Sequence, residues 1–331
     1  MVQITDGHPS QDEDCVRTKT LGRTGLEVPV VGLGGAFIGR QPEGGTDLDA
    51  AMATVEAALD EGCTLIDTAP LYGGTLSEQA IGNVLKTRLD RNDVIVTTKV
   101  GQLRGGRDYS YDAVMRHVED SQERLGVERF EILYIHDAMG IPLPEVLGKD
   151  CALGALRKLQ DEGSVRFIGT AANDPEANGP FIETGEFDVA VVPDAWSLLN
   201  RSAERYIFSA AAEHEVGIVL ATPLERGLLA TGPVEGIDYL NRDFTLEIVE
   251  HAGKIKQVCE DYGVSMVAAA LQWCLRHPLV ATTVPGAESP EQAVQNIQAG
   301  SVELTEDFWS DLEPLAQNFY EDGYIRVPLK R

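Results

Sequence analysis

An acid, a phenol, an amine and an imidazole stand at or just past the ends of three apolar runs in this sequence. Cys63-Thr64-Leu65-Ile66 delivers Asp67, and Tyr72 follows in the Gly-rich turn Leu71-Tyr72-Gly73-Gly74. Asp93-Val94-Ile95-Val96-Thr97-Thr98 delivers Lys99, and Phe130-Glu131-Ile132-Leu133-Tyr134-Ile135 delivers His136. Taken singly, Asp67 could cap a turn, Lys99 could be a surface charge and His136 a satisfied structural residue. Together they form a proton-transfer set. A tyrosine hydroxyl titrates near ~10, too high for easy exchange at neutral pH, and a nearby ammonium lowers that value by favouring the phenolate. Asp67 would keep Lys99 charged and oriented where partial burial favours loss of its proton. His136 can hydrogen-bond the oxygen of a carbonyl or alcohol and fix its direction. Such a set suits proton transfer coupled to hydride transfer: Tyr72 donates the proton as hydride reaches carbon, and withdraws it in the reverse direction.

These side chains converge only if the runs that carry them are neighbouring parallel strands. The surrounding pattern supplies that arrangement. Asp47–Glu61 has the apolar spacing of an amphipathic helix, stopped by Gly62 before the strand that ends at Asp67. Thr75 or Ser77 is placed to cap a helix over Leu76–Leu89. Tyr111–Leu125 reads as the helix before the strand that ends at His136. The alternation continues with helix Leu153–Glu162 and strand Val165–Gly169, Gly179–Thr184 and Val189–Val192, Ser202–His214 and Gly217–Ala221. Helices over Ile248–Tyr262 and Ser265–His277 precede Val280–Pro285, and Pro290–Ala299 closes the set.

With Leu26–Gly34 as the first strand, eight strands with crossover helices predict a single closed (β/α)8 TIM-type barrel. The junctions at Gly62, Gly163 and Gly217 repeat one another weakly as helix, glycine stop and buried strand. An open doubly wound sheet is the alternative, disfavoured because no G-x-G-x-x-G turn follows the first strand. Residues 1–18 read as a polar N-terminal segment and 19–331 as the barrel with a C-terminal tail, 305–331. That tail carries Trp309, Phe319, Tyr320 and Tyr324, and folds over the barrel mouth or against a second subunit. The loops Gly101–Tyr109 and Gly232–Phe244 are candidate pocket walls.

At 331 residues, 43% apolar and 24% charged, the chain can bury a large core. No run approaches the roughly 20 apolar residues of a membrane helix, and the polar start lacks the apolar core of a signal peptide. Cytoplasm is therefore the expected location. Five scattered cysteines, Cys15, Cys63, Cys151, Cys259 and Cys274, without a C-x-x-C pair fit reduced thiols better than disulfides or zinc. A formal net charge of −26 repels nucleic acid and anionic membrane. It fits either a plain solvated surface or adaptation to high salt, in which case activity and melting temperature rise between dilute buffer and molar salt. His136-Asp137 and His214-Glu215 are adjacent pairs without metal-ligand spacing, so no metal is expected.

Several stretches resemble the aldo-keto reductases: Asp67-Thr68-Ala69 with Tyr72-Gly73 and Ser77-Glu78, Thr98-Lys99-Val100, and Ile132 to His136. Leu21 to Leu26, Val165 to Gly169 and Thr283 to Ala287 extend the resemblance over roughly residues 19 to 300. It implies a (β/α)8 barrel that binds a nicotinamide dinucleotide without a Rossmann fold, and it implies the family's catalytic tetrad on Asp67, Tyr72, Lys99 and His136. By the same resemblance Asn173 holds the carboxamide, where relatives carry a Ser-Asn pair and this chain has Gly169-Thr170-Ala171-Ala172-Asn173. Pro223 and Leu224 lie on the cofactor where many relatives place an aromatic side chain. Gly286, Ala287, Glu288, Gln292 and Asn296 form the adenosine side, and the glycines Gly34 and Gly35 let a strand tip approach the ligand. NADP-preferring relatives often carry Lys or Arg near position 288. Glu288 instead repels a 2′-phosphate and accepts from a free 2′-hydroxyl, which predicts NAD over NADP.

Phe37 and Trp196 are assigned to the substrate pocket. Gly34-Gly35-Ala36-Phe37 and Trp196-Ser197-Leu198-Leu199 look like the sugar 1-dehydrogenase branch, which oxidises the anomeric carbon of an aldose to a lactone. An NADPH-dependent reductase of small aldehydes or ketones stays open as an alternative. So does a weakly catalytic nicotinamide-binding redox-sensor subunit, although a pure sensor has no need of Tyr72. A metal-dependent barrel hydrolase or lyase lacks a ligand set. The expected partner is a small sugar or carbonyl compound, with oligomeric state left open.

Overall fold

The computed structural model describes residues 16–41, 44–89, 91–237, 239–240 and 242–320. Strand β1 (Thr18–Thr20) pairs antiparallel with β2 (Glu27–Pro29). The barrel strands are β3 (Leu33–Gly34), β4 (Leu65–Asp67) and β5 (Ile95–Val100), then, after a small hairpin of β6 (Gln102–Leu103) and β7 (Gly106–Arg107), β8 (Phe130–His136), β9 (Val165–Ala171), β10 (Val189–Val192), β11 (Gly217–Ala221) and β12 (Val280–Val284). They form one parallel sheet in the order β12-β11-β10-β9-β8-β5-β4-β3. Parallel bridges Val31 to Thr283 and Gly34 to Gly286 bring its two edges together, so the sheet closes.

Strands of this kind are buried on both faces, which is why they read as continuous apolar runs rather than as alternating ones. Leu65, Ile132, Tyr134, Val189, Val191, Val219 and Ala281 fill the barrel interior, and Leu21 and Val28 from the hairpin segment plug its N-terminal end. Each fully buried Val, Leu or Ile among them contributes roughly 1.5–3 kcal/mol. On the outside, helices bury one face against the sheet. Asp47, Asp174, Thr245, Ser265, Ser289 and Thr305 each cap one helix, accepting from the backbone N–H of Ala50, Glu176, Ile248, Ala268, Gln292 and Phe308.

Some local expectations need correction. Leu26–Gly34 is not one strand. Its first part leaves the barrel to form β2, while Val30 and Gly32 turn to bond Thr283. The helix expected over Gly179–Thr184 runs from Pro175 to Glu183, because Asp174 caps it and Pro175 fits its first turn. The helix after Tyr72 ends at Leu85 rather than Leu89. Neither Thr75 nor Ser77 caps it: Thr75 has a left-handed backbone and no cap bond, and Ser77 Oγ instead lies 2.7 Å from Thr68 Oγ1. The tail is placed as far as Tyr320. Gln317 and Phe319 donate backbone bonds to Leu198 and Leu199, which seats this segment on the loop after β10. Cys15 and Tyr324 lie outside the described residues. Cys63, Cys151, Cys259 and Cys274 are free thiols.

Candidate active site

Parallel pairing in register brings the ends of β4, β5 and β8 side by side, with Asp67 opposite Thr97 and Lys99 opposite Tyr134. At that edge Lys99 Nζ donates to Asp67 Oδ2 at 2.6 Å and to the Thr68 carbonyl at 2.8 Å. Thr97 Oγ1 donates to the other Asp67 oxygen at 2.9 Å. The ammonium lies 4.9 Å from the centre of the Tyr72 ring, and that ring meets the His136 ring edge-on at 5.8 Å. The four residues expected to act together do stand together. Lys99, Asp67 and His136 are buried, and Tyr72 is half-buried.

Burial opposes the charge on Lys99, but Asp67 and Tyr72 outweigh it, and the ammonium stays above its ordinary range. Burial also pushes the Tyr72 hydroxyl up. Lys99 pulls it down as expected, yet burial together with Asp67 and Asp137 prevails, so the phenol is held in its protonated form. The sequence-based expectation of a lowered tyrosine is corrected on this point, because the corner is drier than the strand pattern implies. Burial drives His136 well below its usual value, helped by the positive charges of Lys99 and Arg107, so the imidazole is neutral. Its Nδ1 is buried with no hydrogen-bond partner among the described residues. Its Nε2 lies 4.0 Å from the Asp137 carboxylate, which favours the ring proton on that nitrogen.

The corner is the floor of a cavity of about 1020 Å³ along the C-terminal rim, as expected for this barrel type. Gly34, Gly35, Phe37, Asn173, Pro223, Leu224, Gly286, Glu288, Gln292 and Asn296 all line it. The glycines have a further reason to be there. A Cβ on Gly34 would sit 2.6 Å from the Val284 carbonyl, and one on Gly35 2.6 Å from Ser77 Oγ and 3.0 Å from the Asp67 carbonyl, so close packing of strand on strand and helix on strand end itself requires them. The volume, the capped helix Pro290–Ala299 beside Glu288 and Gln292, and the amide of Asn173 fit a dinucleotide.

Two assigned residues fall elsewhere. Trp196 is buried against Trp273, with ring centres 4.7 Å apart, and its Nε1 donates to the Cys274 carbonyl. It packs the core and does not wall the pocket. Ala287 is fully buried in the core, one residue past the strand-edge pairing of Gly286. Of the two candidate loops, 232–244 lines the cavity through Gly236, Ile237, Tyr239 and Leu240. Among the described residues, no residue of 101–109 does so.

Other site residues escape a reading of motifs. Asp137 lines the cavity beside His136, buried and bonded to Asn173. Arg40 forms an ion pair of 3.1 Å with Glu288. Arg226, also on the cavity wall, pairs with Asp194 at 2.7 Å. The His-Asp dipeptide was the available signal for the first of these. The other two contacts join residues 248 and 32 positions apart, which no local pattern reports.

A parallel barrel whose mouth holds a tyrosine, a lysine–aspartate pair and a neutral histidine over a dinucleotide-sized cavity has the features of a barrel oxidoreductase. The Aldo/keto reductase family model matches residues 30–317, and the chain belongs to that family, whose members use nicotinamide cofactors. It is 30% identical to a pyridoxal 4-dehydrogenase of Microbacterium luteolum, over 89% of this chain and 96% of that protein. It is 31% identical to a D-threo-aldose 1-dehydrogenase of a Pseudomonas species, over 87% and 94% respectively. Among solved structures, an aldo-keto reductase of Bacillus halodurans in its holo form superposes with a TM-score of 0.75 at 27% identity, covering 92% of this chain and 97% of that one. Among the described residues, no group of three or more His, Cys, Asp or Glu could hold a metal, and no helix is long and apolar enough to cross a membrane.

Proposed function

We propose that this oxidoreductase oxidises an aldose at C1 to the lactone, using NAD in preference to NADP, with Tyr72 as the general acid/base. The observation that carries the chemistry is the Lys99–Asp67 pair of 2.6 Å beneath the ring of Tyr72. A nicotinamide dinucleotide held along Asn173, Pro223, Leu224 and the Gly286 to Asn296 side of the cavity would supply the hydride acceptor for the sugar carbon. Tyr72 takes the proton from the sugar oxygen, His136 Nε2–H donates to that same oxygen and holds it in line, and Asp67 keeps Lys99 charged beside the phenol. Because burial holds Tyr72 protonated, oxidation speeds up as pH rises and reduction slows.

Similarity to an aldose 1-dehydrogenase supports the sugar, and two of the relatives named above are dehydrogenases. On the adenosine side, the pairing of Arg40 with Glu288 supports NAD. Among the described residues, the cationic side chains lining the cavity are Lys99, Arg226 and Arg40, and each is paired with a carboxylate, which disfavours their use on a 2′-phosphate. Free thiols on the described cysteines suit a reducing compartment such as the cytoplasm. The test is initial-rate reduction of NAD⁺ and NADP⁺ with a panel of aldoses, using Tyr72→Phe as control. Turnover faster with NAD⁺ and lost in the variant supports the proposal. Silence with every sugar, together with reduction of simple aldehydes by NADPH, replaces it with the carbonyl-reductase reading.

A further inference from the structure

Asp137 is a carboxylate set in an expensive place. Its backbone is left-handed, with φ of 48°, a conformation aspartate adopts more readily than most residues, and its N–H is fixed to the Ala171 carbonyl at 2.7 Å. Its side chain is 7% exposed, and burial raises its pKa, countered by the bonds from Asn173 and the charges of Arg107 and Lys99. Among the described residues no Lys or Arg lies within ion-pair distance. The neutral His136 ring lies beside it, with Nε2 at 4.0 Å from Asp137 Oδ2. Burial and an acid without an ion pair among the described residues coincide at the cavity wall next to the reacting corner, which marks a residue kept for a ligand.

The hydrogen bonds show which atom is available. Asn173 N–H donates to Oδ1 at 3.0 Å, and Asn173 Nδ2 donates to Oδ1 at 3.3 Å and to Oδ2 at 3.1 Å. A carboxylate offers about four lone-pair sites, so Oδ2, the oxygen nearer His136, has capacity left. The wall thus presents a donor, His136 Nε2–H, and an acceptor, Asp137 Oδ2, side by side at 4.0 Å. That pair complements two oxygens on adjacent carbons, the reacting one accepting and its neighbour donating, since such oxygens in a gauche arrangement lie about a hydrogen-bond length apart.

We infer that Asp137 is a specificity-determining residue that accepts a hydrogen bond from a hydroxyl on the carbon next to the reacting one. The site therefore takes 2-hydroxy aldehydes and the cyclic hemiacetals of aldoses in preference to carbonyl compounds lacking that hydroxyl. This rests on the assignment of the reacting oxygen to Tyr72 and His136, but on neither the direction of the reaction nor the choice of cofactor. A hydroxyl bonded to a buried charge is worth roughly tenfold to a hundredfold in discrimination, because losing it leaves the carboxylate bare.

Matched pairs of substrates test it: glucose against 2-deoxyglucose in oxidation, and 2-hydroxypropanal against propanal in reduction, in the wild type, Asp137→Asn and Asp137→Ala. Dissociation constants of NAD⁺ and NADP⁺, read by quenching of tryptophan fluorescence, accompany the rates. The wild type is expected to favour the hydroxylated member by at least tenfold in kcat/KM in whichever pair it turns over. In Asp137→Ala that ratio falls to within about twofold of one, with cofactor affinity changed less than threefold, and Asp137→Asn lies between. No preference in the wild type, or a preference that survives Asp137→Ala, overturns the inference while leaving the oxidoreductase reading intact. A lost preference accompanied by an equal loss of cofactor affinity overturns it too, since Asp137 would then act only by positioning Asn173. Turnover of none of the four compounds overturns the inference together with the reading of the site as one for aldoses and small aldehydes.

Discussion

Two buried charged corners share the C-terminal rim of the barrel, and they are finished differently. At the ends of β4, β5 and β8, Lys99 and Asp67 satisfy each other, while the groups above them, the Tyr72 hydroxyl and the His136 ring, face the cavity. Past β10 and β11, Asp194 takes Arg226 at 2.7 Å and Arg242 at 3.1 Å. Glu225 accepts from Ser197 Oγ at 2.5 Å and from the Tyr320 hydroxyl at 3.2 Å, with Arg242 at 3.8 Å. That second corner fastens the C-terminal segment and the loop carrying Arg242 to the barrel mouth. Burying charge therefore serves two ends here. In one corner the pair is a support for side chains left available to react. In the other the charges are themselves the fastening.

The contrast is tested most directly at Tyr72. Tyr72→Phe removes one hydroxyl from the first corner and is expected to lower turnover by about 10²–10⁴-fold with the melting temperature nearly unchanged. A variant keeping a tenth of the wild-type rate would deny Tyr72 its role. Asp67→Ala and Asp194→Ala come next. Asp67→Ala takes the paired carboxylate from Lys99 and Asp194→Ala takes it from Arg226, each at a cost of about 3–5 kcal/mol read by urea unfolding. Only Asp67→Ala should also abolish turnover under conditions where both variants are folded. Equal loss of turnover in both would erase the distinction between support and fastening.

Acidity separates the two corners further. Burial, with Asp194 adding to it, raises the Glu225 carboxyl from 4.5 to about 7. The folded state holds this proton longer than the unfolded chain, so its stabilisation is complete below pH 4.5 and is lost as pH rises through 7. The change is about 3 kcal/mol, since each tenfold gain in proton affinity on folding is worth ~1.4 kcal/mol. Glu225→Gln should remove that decline. His136 works in the opposite sense: its lowered pKa contributes stability that is present above its ordinary value of 6.5 and lost as pH falls below it. Melting curves of the wild type and Glu225→Gln across pH 4 to 9 separate the two, and identical profiles would refute the assignment to Glu225. The smallest effect is expected at the exposed end of the cavity. Glu288→Lys should move the NAD/NADP ratio of kcat/KM by roughly tenfold towards NADP, about 1.4 kcal/mol. An unchanged ratio would remove Glu288 from cofactor choice.

Much of this site is legible in the residues alone, because it follows from local physics. Buried parallel strands must be apolar along their whole length, and glycine stops punctuate the helices between them. The strand ends, and with them Asp67, Tyr72, Lys99 and His136, could therefore be placed without coordinates, and the closure of eight such units into a barrel follows from their number. Phe37, Asn173 and Glu288 sit on the cavity because they immediately follow those ends. Trp196 also follows a strand end, yet tertiary packing turned it inward onto Trp273. The pairing of Arg40 with Glu288, the fastening of Tyr320 to Glu225 and the exposure of Asp137 to the cavity were likewise set only by the fold. So was the dryness that keeps Tyr72 protonated. Each depends on groups far apart in the chain, or on the solvent excluded around them. A pattern of residue types records what a strand can bury, but not which side chains it will meet once the barrel closes.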